Sequence, residues 1–321
     1  YDVVIIGGGP AATAAAVYTA RKQLKTLVIT ESFGGQSIVS DDIQNWIGEQ
    51  HISGFDLAKK FEEHVRSFGD IVEIKAPEKV IKISAIKCER AGFSCDFEVE
   101  TELGNVYRSK SIIITAGARR RKLGIPGEEA FNGKGVAYCS TCDAPLFSGK
   151  VVAVVGGGNA GLEAVIDLLP YATKIFLLIR GDSLKGDEST QNEIKKNPKV
   201  EIIFNAITDE IKGVSMVTGL LCHDAVTNEK KELAIGGIFI EIGSVPNSEI
   251  VKNLVKIDAF GQIVVDKFSA ASHSGIFAAG DITDDPFKQN NISAGDGVKA
   301  ALSAYGYVLQ LKKRSPAAEK N

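Results

Sequence analysis

The chain contains two copies of one pattern, in which an apolar run is followed by three glycines and an alanine-rich segment. Residues 3–12 read VVIIGGGPAA, and residues 152–161 read VAVVGGGNAG. A short β-branched run predicts a buried strand, and the alanine-rich segment predicts a helix. Strand, turn and helix in this order begin a parallel βαβ unit. The pattern therefore predicts an α/β protein in which one unit is built twice.

Further strand-like runs lie between the two copies and after the second one. They cover residues 72–74, 97–100, 111–115, 200–204, 237–242 and 262–265. Residues 290–311 carry apolar side chains at helical spacing and predict a long helix, followed by a frayed polar tail over 312–321. Because no low-complexity linker separates the copies, we expect the second domain to be inserted in the first through two short crossings.

Composition restricts the class of protein. Of the 321 residues, 44% are hydrophobic and 24% charged, and the net charge is -3, which favours a soluble globular protein over a disordered or nucleic-acid-binding one. Residues 3–20 include no charged side chain, but their glycines and alanines do not resemble a membrane span and no basic segment precedes them. The odd number of cysteines, 5, argues against a secreted disulfide framework, so we expect a cytoplasmic protein.

The first glycine turn has the spacing Gly7-x-Gly9-x-x-Ala12. Glycines at these positions allow a tight turn and let the backbone approach a pyrophosphate, which rests on the N–H groups that open the helix. Glu31 follows about 20 residues further on, where a carboxylate accepts hydrogen bonds from a ribose. This copy predicts a dinucleotide site; the alternative is an ordinary glycine turn and a solvated Glu31.

The second glycine turn, Gly156-x-Gly158-x-x-Gly161, is complete, and Arg180 occupies the position that corresponds to Glu31. An arginine at the ribose edge suits the 2′-phosphate of NADP, whereas an acidic residue suits NAD. Lys185 could supply a second cation. The alternative is that Arg180 is only a surface residue.

Cys139-Ser140-Thr141-Cys142-Asp143 is the reactive segment of the chain. A Cys-x-x-Cys pair closes a small disulfide ring, and this arrangement commonly lowers the pKa of one thiol. A structural zinc site needs further ligands at fixed spacing, which the other cysteines and the histidines do not show, so no metal is expected. Asp143 could exchange protons with the dithiol, cap the following helix, or do both.

The remaining candidates have plainer interpretations. Cys88 and Cys95 flank a turn in a predicted hairpin, and Cys222 lies in a strand-like stretch, so all three are expected to be buried free thiols. The basic run 119–122 predicts a solvated loop, with a docking surface for an acidic partner as the alternative. The four histidines are isolated and receive no role.

Two dinucleotide motifs with Cys-x-x-Cys-Asp before the second resemble the low-molecular-weight thioredoxin reductases and the catalytic half of the flavoprotein component of alkyl hydroperoxide reductase. The resemblance covers essentially the whole chain. It also rests on the segments 34–36, 45–46, 115–118, 156–163, 278–281 and 288–290. It implies two Rossmann-like, three-layer ββα dinucleotide-binding domains, the second inserted in the first, and a homodimer.

The resemblance implies that FAD binds a discontinuous domain of residues 1–117 and 245–321. Glu31 would bind the adenosine ribose, Asp281 the ribityl chain, and the last helix would point its N-terminus at the flavin. The full set of implied FAD residues is Gly7, Gly9, Pro10, Ala12, Glu31, Gly35, Gln36, Asn45, Ala116, Gly117, Gly280, Asp281, Lys288, Gln289 and Asn290.

Residues 118–244 would form the pyridine-nucleotide domain that carries the Cys-x-x-Cys pair. Cys142 would face the flavin, Cys139 would attack the partner disulfide, and Asp143 would exchange protons. Enzymes of this kind rotate the nucleotide domain between two positions. The implied nucleotide-binding residues are Gly156, Gly158, Asn159, Gly161, Glu163, Arg180 and Lys185, with Glu163 near the nicotinamide.

The ribose edge departs from the family pattern. NADPH-dependent thioredoxin reductases carry His-Arg-Arg-x-x-x-Arg there, whereas this chain has Ile179-Arg180-Gly181-x-x-x-Lys185. The intact glycines Gly156, Gly158 and Gly161 favour a dinucleotide as donor, so NADPH is the first expectation, with NADH or ferredoxin as alternatives.

The resemblance thus implies an FAD-dependent reductase that passes electrons from NADPH through FAD and Cys139/Cys142 to thioredoxin or a similar small redox protein. The first alternative is the NADH-dependent reductase module of a peroxiredoxin system, favoured by the segment 143–147, which resembles that group's Asp-Gly-Pro-Leu-Phe. An upstream thioredoxin-like domain would also favour it. An alternative of another class is a flavin-binding redox sensor.

Overall fold

The computed structural model describes residues 1–40, 42–87 and 94–313, and the chain divides into two compact units. Unit 1 comprises Tyr1–Arg119 and Val245–Asn321, and unit 2 comprises Arg120–Ser244. Unit 2 is therefore an insertion between the two segments of unit 1.

The helices and strands fall into three successive segments of the chain. The first segment contains β1 (Val3–Ile6), α1 (Pro10–Arg21), β2 (Thr26–Ile29), α2 (Gly54–Arg66), β3 (Val72–Lys75), β4 (Val80–Lys87), β5 (Ser94–Thr101), β6 (Val106–Ser109), β7 (Ser111–Ile114) and β8 (Ala118–Arg120). The inserted segment contains β9 (Val136–Ala137), α3 (Ser140–Asp143), β10 (Val151–Val155), α4 (Asn159–Leu168), β11 (Lys174–Leu178), α5 (Glu188–Lys196), β12 (Val200–Ile203), β13 (Ala206–Gly213), β14 (Val217–Asp224), β15 (Lys230–Ala234) and β16 (Gly237–Ile240). The last segment contains β17 (Ser244–Pro246), β18 (Ile276–Ala278) and α6 (Asn290–Lys313). Short 3-10 helices cover Gly35–Val39 and Ala144–Phe147.

Each unit is built on a parallel five-stranded sheet. The strand orders are β18-β7-β1-β2-β3 in unit 1 and β12-β11-β10-β16-β9 in unit 2. Each unit also has a three-stranded antiparallel sheet, β4-β5-β6 in unit 1 and β13-β14-β15 in unit 2. The repeated sequence pattern therefore corresponds to repeated topology, with β1-α1-β2 matched by β10-α4-β11.

Alternation along the central strands explains the three layers. In unit 1, Val3 and Ile5 pack with the helices, whereas Val4 and Ile6 pack with the antiparallel sheet. Unit 2 repeats this arrangement, with Val154 on the helical side and Val155 on the other. Since side chains alternate between the faces of a strand, a run that is apolar throughout fits a sheet covered on both faces. The expected three-layer α/β architecture is confirmed.

Helix α1 packs closely against α6 because both present small residues. Alanines fill most buried positions of α1. A Cβ added at Gly297 of α6 would lie 2.2 Å from the carbonyl oxygen of Ala11. The close contact fixes α6 against the first βαβ unit, and so places the residues at its N-terminus.

One local sequence prediction is wrong, and a second is confirmed in part. The run 262–265 forms only isolated bridges, at Ile263 and Val265, rather than a strand. The basic run 119–122 is largely exposed to solvent, as expected, but only its second half is a loop, because Arg119 and Arg120 belong to β8. Arg119 forms an ion pair with Glu249, and Lys122 forms one with Glu129.

The predicted hairpin is present, because β4 and β5 pair antiparallel. Cys88 and the side chain of Cys95 lie outside the described part of the chain. Cys222 lies in β14 as a buried free thiol, as expected, and burial raises its pKa. The strand-like runs 72–74, 97–100, 111–115, 200–204 and 237–242 correspond to strands, and the run 290–311 lies within α6.

Candidate functional site

The first glycine turn joins β1 to α1, and the backbone leaves no room for side chains there. Gly7 has φ +124°, and a Cβ on it would lie 2.4 Å from the carbonyl oxygen of Thr115. A Cβ on Gly8 would lie 2.2 Å from the carbonyl oxygen of Ser32. Only glycine fits these positions. Gly9 is the N-cap of α1 and makes no side-chain capping bond, so no N-cap side chain competes with an anion for the N–H groups that open the helix.

A second glycine faces this helix end from another part of unit 1. Gly35 has φ +62°, and a Cβ on it would lie 3.3 Å from the Cα of Gly9. The two backbones thus border a narrow slot without side chains, which suits a pyrophosphate. Nearby in the chain, the buried hydroxyl of Thr13 has no hydrogen-bond partner among the described residues. The slot and the unsatisfied hydroxyl fit a bound dinucleotide.

Polar side chains from the two ends of the chain meet in unit 1. Gln36 donates to Asp281, with 3.2 Å between Nε2 and Oδ2. Asn45 donates to Gln289, with 3.2 Å between Nδ2 and Oε1. Ser37 donates its hydroxyl hydrogen to Oδ1 of Asn290. The structure therefore brings together five residues that the sequence singled out, although more than 240 positions separate the partners.

Three further residues of this hydrogen-bonded group were not predicted from the sequence. The side chain of Asn291 donates to the carbonyl of Asn45 at 2.7 Å and accepts the N–H of Ile47. Ser293 donates to Asp281, and Ser37 belongs to the same network. Each lies within three residues of a motif position, and proximity to the motif was the only sequence signal that could have found them.

The other expected FAD residues lie at the same edge of the unit 1 sheet or near it. Lys288 is half-buried and donates to the carbonyl of Thr283 at 2.6 Å, and burial lowers the pKa of its ammonium. The carbonyls of Ala116 and Gly117 accept hydrogen bonds from Asn247. Gly280 has φ +79°, and a Cβ there would press on Ala11.

Glu31 follows β2 and is exposed. Its Oε1 lies 3.5 Å from Nζ of Lys79, an exposed pair that contributes little to stability. The segment after it is held against the first glycine turn, since the N–H of Gly34 donates to the carbonyl of Gly8 at 2.9 Å. The carboxylate is therefore accessible to a ligand beside the turn.

The second glycine turn, between β10 and α4, has the same character. Gly156 has φ +141°, and a Cβ on it would lie 2.2 Å from the carbonyl oxygen of Glu241. A Cβ on Gly161 would lie 2.1 Å from the carbonyl oxygen of Gly156. Gly158 differs, because no atom lies within 4 Å of a Cβ placed there. Space above Gly158 is thus left for a ligand rather than for the protein's own atoms.

The two cationic residues predicted to bind the nucleotide, Arg180 and Lys185, lie on the segment that borders this turn. Arg180 follows β11 and is exposed. Lys185 is also exposed, and its N–H donates to the carbonyl of Gly157 at 2.8 Å, so the segment between them borders the turn. Asn159 accepts the N–H of Asp187 at 2.8 Å, and Glu163 is exposed on α4. These positions suit recognition of a nucleotide.

Cys139 and Cys142 form a disulfide, with 5.3 Å between their Cα atoms. Both lie in unit 2, at and within the short helix α3, and both are half-buried. The hydroxyls of Ser140 and Thr141 donate to Asp167 of α4, at 2.8 and 3.2 Å. Hydrogen bonds from the two residues between the cysteines therefore connect the redox segment to α4, the helix that follows the second glycine turn.

One titratable residue beside this pair was missed from the sequence. Glu241 follows β16, is largely buried, and accepts a hydrogen bond from the N–H of Ser140. Burial raises its pKa to about 7. No periodicity or motif marks it, because its surroundings arise from strand pairing.

Two negative findings concern the described residues. Within residues 1–40, 42–87 and 94–313, no three His, Cys, Asp or Glu side chains are grouped to hold a metal ion. Over the same ranges, no helix combines the length and the apolar character needed to cross a membrane.

The comparisons with known proteins agree with this geometry. The family model for pyridine nucleotide-disulphide oxidoreductases matches residues 1–303. A thioredoxin reductase structure from Streptococcus pyogenes is similar over 97% of this chain and 98% of that one, with a TM-score of 0.88 and 36% identity.

Two curated relatives are longer than this chain. The NADH dehydrogenase of Bacillus subtilis is 42% identical over 97% of this chain and 59% of its own length. An alkyl hydroperoxide reductase subunit of Pseudomonas aeruginosa is 42% identical over 97% of this chain and 58% of its own length. The chain thus spans somewhat less than three-fifths of the length of the curated relatives that it matches.

Proposed function

This chain belongs to the pyridine nucleotide-disulphide oxidoreductase family, and from that membership we propose that it reduces the disulfide of a thioredoxin-like protein with electrons from NADPH. As a member with thioredoxin reductase neighbours, it is an FAD-dependent oxidoreductase. The observation that carries the proposal is the Cys139–Cys142 disulfide, placed in the same unit as the second glycine turn.

Unit 1 is the proposed FAD domain. The slot between Gly9 and Gly35 would hold the pyrophosphate, and Glu31 would bind the ribose. The side-chain amides of Asn45 and Asn290 would face the flavin ring system. FAD supplies the chemistry that links a two-electron hydride donor to a disulfide. The side chains of this chain bind and orient it, and their mutual hydrogen bonds hold them in position beforehand.

Unit 2 is the proposed nucleotide domain. The N–H groups that open α4 would bind the pyrophosphate, with Asn159 at this end of the helix and Glu163 near the nicotinamide. Arg180 and Lys185 are exposed next to the turn, so both can reach a 2′-phosphate. Two cations at this edge favour NADPH over NADH.

The dithiol would transfer the electrons by thiol–disulfide exchange. The thiolate of Cys139 attacks one sulfur of the partner disulfide, and the other partner sulfur leaves as a thiolate. Cys142 then attacks the Cys139 sulfur, which restores the Cys139–Cys142 bond and releases the second partner sulfur. Asp143, whose N–H donates to the Cys139 carbonyl at 3.0 Å, would supply protons to the sulfurs that leave.

An anaerobic titration of the FAD-loaded protein with NADPH, and separately with NADH, tests the proposal. Loss of the oxidised flavin band with NADPH, followed by reduction of a thioredoxin disulfide, is expected. C139S and C142S should keep FAD and lose disulfide reduction, whereas C222S removes a thiol outside the pair and should keep it. Disulfide reduction that persists in C139S or C142S would contradict the proposal. Bleaching by dithionite alone would point to a ferredoxin-type donor or to a sensor.

A second candidate function is the reductase half of a peroxide-scavenging pair. It is favoured by the match to the alkyl hydroperoxide reductase subunit of Pseudomonas aeruginosa, of which this chain spans only 58%. Turnover measured side by side with a thioredoxin-type and a peroxiredoxin-type disulfide separates the two candidates. We also propose a homodimer on the family resemblance, to be checked by light scattering.

A further inference from the structure

Glu241 lies where the two motifs of unit 2 meet. Its N–H donates to the carbonyl of Val155 at 2.9 Å, and its own carbonyl closes the space beside Gly156. Strand β16, which it follows, pairs in parallel with β9, with Phe239 opposite Ala137. Counted on by two residues, this register brings Glu241 level with Cys139. The parallel sheet therefore places Glu241 and the start of the Cys139–Cys142 segment at the same edge.

The carboxylate is bonded to the segment that carries the redox pair. It accepts a hydrogen bond from the N–H of Ser140, the residue between Cys139 and the rest of α3. Ser140 is itself buried, and its hydroxyl donates to Asp167. A change of charge on Glu241 thus acts directly on the backbone of the Cys-x-x-Cys ring.

Charged groups face Glu241 from three elements. Arg120 approaches from β8, Asp143 from α3 and Asp167 from α4. Burial is the main cause that raises its pKa to about 7, and Asp167 and Asp143 add to it. Arg120 and the Ser140 N–H lower the pKa but do not offset the burial. Glu241 is therefore part protonated and part ionised near neutral pH.

We propose that Glu241 is a positioning residue that takes up a proton when the Cys139–Cys142 disulfide is reduced and releases it when the disulfide re-forms. The inference rests on the proposed function for its electron donor. Two electrons break the S–S bond and leave two sulfurs, one of which keeps its negative charge as a thiolate. A new negative charge at this edge of the sheet makes the carboxylate a stronger base. The proton comes from solvent, so the pair and Glu241 together remain nearly neutral.

Coupling of this kind changes how the reduction equilibrium depends on pH. Each additional proton bound on reduction makes the equilibrium constant fall by about tenfold more per pH unit. In the wild type, reduction binds up to one proton more than the two sulfurs alone require, over the pH range in which Glu241 is ionised in the oxidised protein and protonated in the reduced one. The same carboxyl would assist Asp143 by keeping a second proton close to the dithiol.

The test is an equilibrium of the FAD-loaded protein with dithiothreitol between pH 6 and 9, with free thiols trapped and the reagent's own protons taken into account. Between pH 7 and 8, the equilibrium constant in the wild type should fall up to about tenfold more than in E241Q. E241D retains a carboxyl and should keep part of the steeper slope. E232Q, which alters an exposed glutamate of β15 bonded to Lys212, should match the wild type.

Equal slopes in the wild type and E241Q would overturn the inference. Should E241Q fail to fold, the infrared difference spectrum between reduced and oxidised wild type decides instead: a new protonated-carboxyl band on reduction is expected, and its absence overturns the inference. Because dithiothreitol supplies the electrons, a protein that neither NADPH nor NADH reduces would contradict the proposed function and leave this result standing.

Discussion

Ser37 donates its hydroxyl hydrogen to Oδ1 of Asn290 across 2.9 Å, although 253 positions separate the two residues. Ser37 lies in the 3-10 helix after the first βαβ unit, and Asn290 is the first residue of α6. The candidate FAD site is therefore closed only when α6 has docked. Since α6 is fixed by its contact with α1, packing at that contact controls the geometry of the site.

Replacing Gly297 with alanine tests this dependence. The added Cβ would lie 2.2 Å from the backbone oxygen of Ala11, which cannot move away as a flexible side chain could. We expect G297A to lose about 1–3 kcal/mol of unfolding free energy and to bind FAD more weakly. Urea denaturation and flavin release measure the two effects.

Gly306 provides the matched control in the same helix. No atom lies within 4 Å of a Cβ placed there. Alanine is the better helix former by about 1 kcal/mol, so G306A should be as stable as the wild type or slightly more stable. If both variants lost the same stability, close packing of α6 on α1 would not be the cause.

The glycine turns were predictable from sequence because their constraints are local. A positive φ at Gly7 or Gly156, and a backbone oxygen within about 2.4 Å of the absent Cβ, leave glycine as the only residue that fits. The surrounding apolar runs fix strand and helix by periodicity. The order of elements around both turns was therefore readable from the chain.

Other features were not readable, because they arise from tertiary contacts. The position of Glu241 level with Cys139 depends on the pairing of β16 with β9, which no local pattern encodes. Arg119 belongs to a basic run that the sequence predicts as a loop, but it lies in β8, where the return of the chain places Asn247 and Glu249 beside it. The run 262–265 contains three successive β-branched residues, as a strand often does, but forms only isolated bridges. Sequence patterns predict elements, whereas long-range contacts decide what each charge meets.

Gly158 allows nucleotide binding to be separated from folding. A Cβ at this position touches no protein atom within 4 Å, so G158A should unfold at the same urea concentration as the wild type. The methyl group would, however, occupy the space where a pyrophosphate approaches the backbone. We expect at least about tenfold weaker nucleotide binding in a fluorescence titration. G219A, whose Cβ would make only ordinary contacts in β14, should leave affinity unchanged; unchanged affinity in G158A would place the nucleotide elsewhere.

Arg180 and Lys185 determine the expected preference for NADPH. Both are exposed and lie on the segment that borders the second glycine turn. Removing both charges in R180Q/K185Q should raise the KM for NADPH about tenfold or more, and change the KM for NADH much less, because only NADPH carries the 2′-phosphate. K195Q, an exposed lysine of α5, serves as control. Equal loss with both nucleotides would remove the 2′-phosphate role.

Glu241 also makes stability depend on pH in a defined direction. Its carboxyl has a pKa of about 7 in the folded chain and an ordinary value of 4.5, so the folded state binds more protons between these pH values. Stability from this group is fully present below pH 4.5 and is lost as pH rises through about 7. The loss is on the order of 3 kcal/mol. It opposes the usual trend of carboxylates whose pKa is lowered by folding.

Glutamine at this position retains an oxygen that accepts the Ser140 N–H but carries no charge to desolvate. We therefore expect E241Q to unfold at higher urea concentration than the wild type at pH 8, and at a similar concentration at pH 5. E232Q should not differ from the wild type in this pH-dependent way, because Glu232 is exposed and forms an ion pair with Lys212. A wild type whose difference from E241Q is the same at pH 5 and pH 8 would show that Glu241 is ionised throughout. That result would contradict the pKa on which the proposed proton uptake by Glu241 in the redox cycle depends.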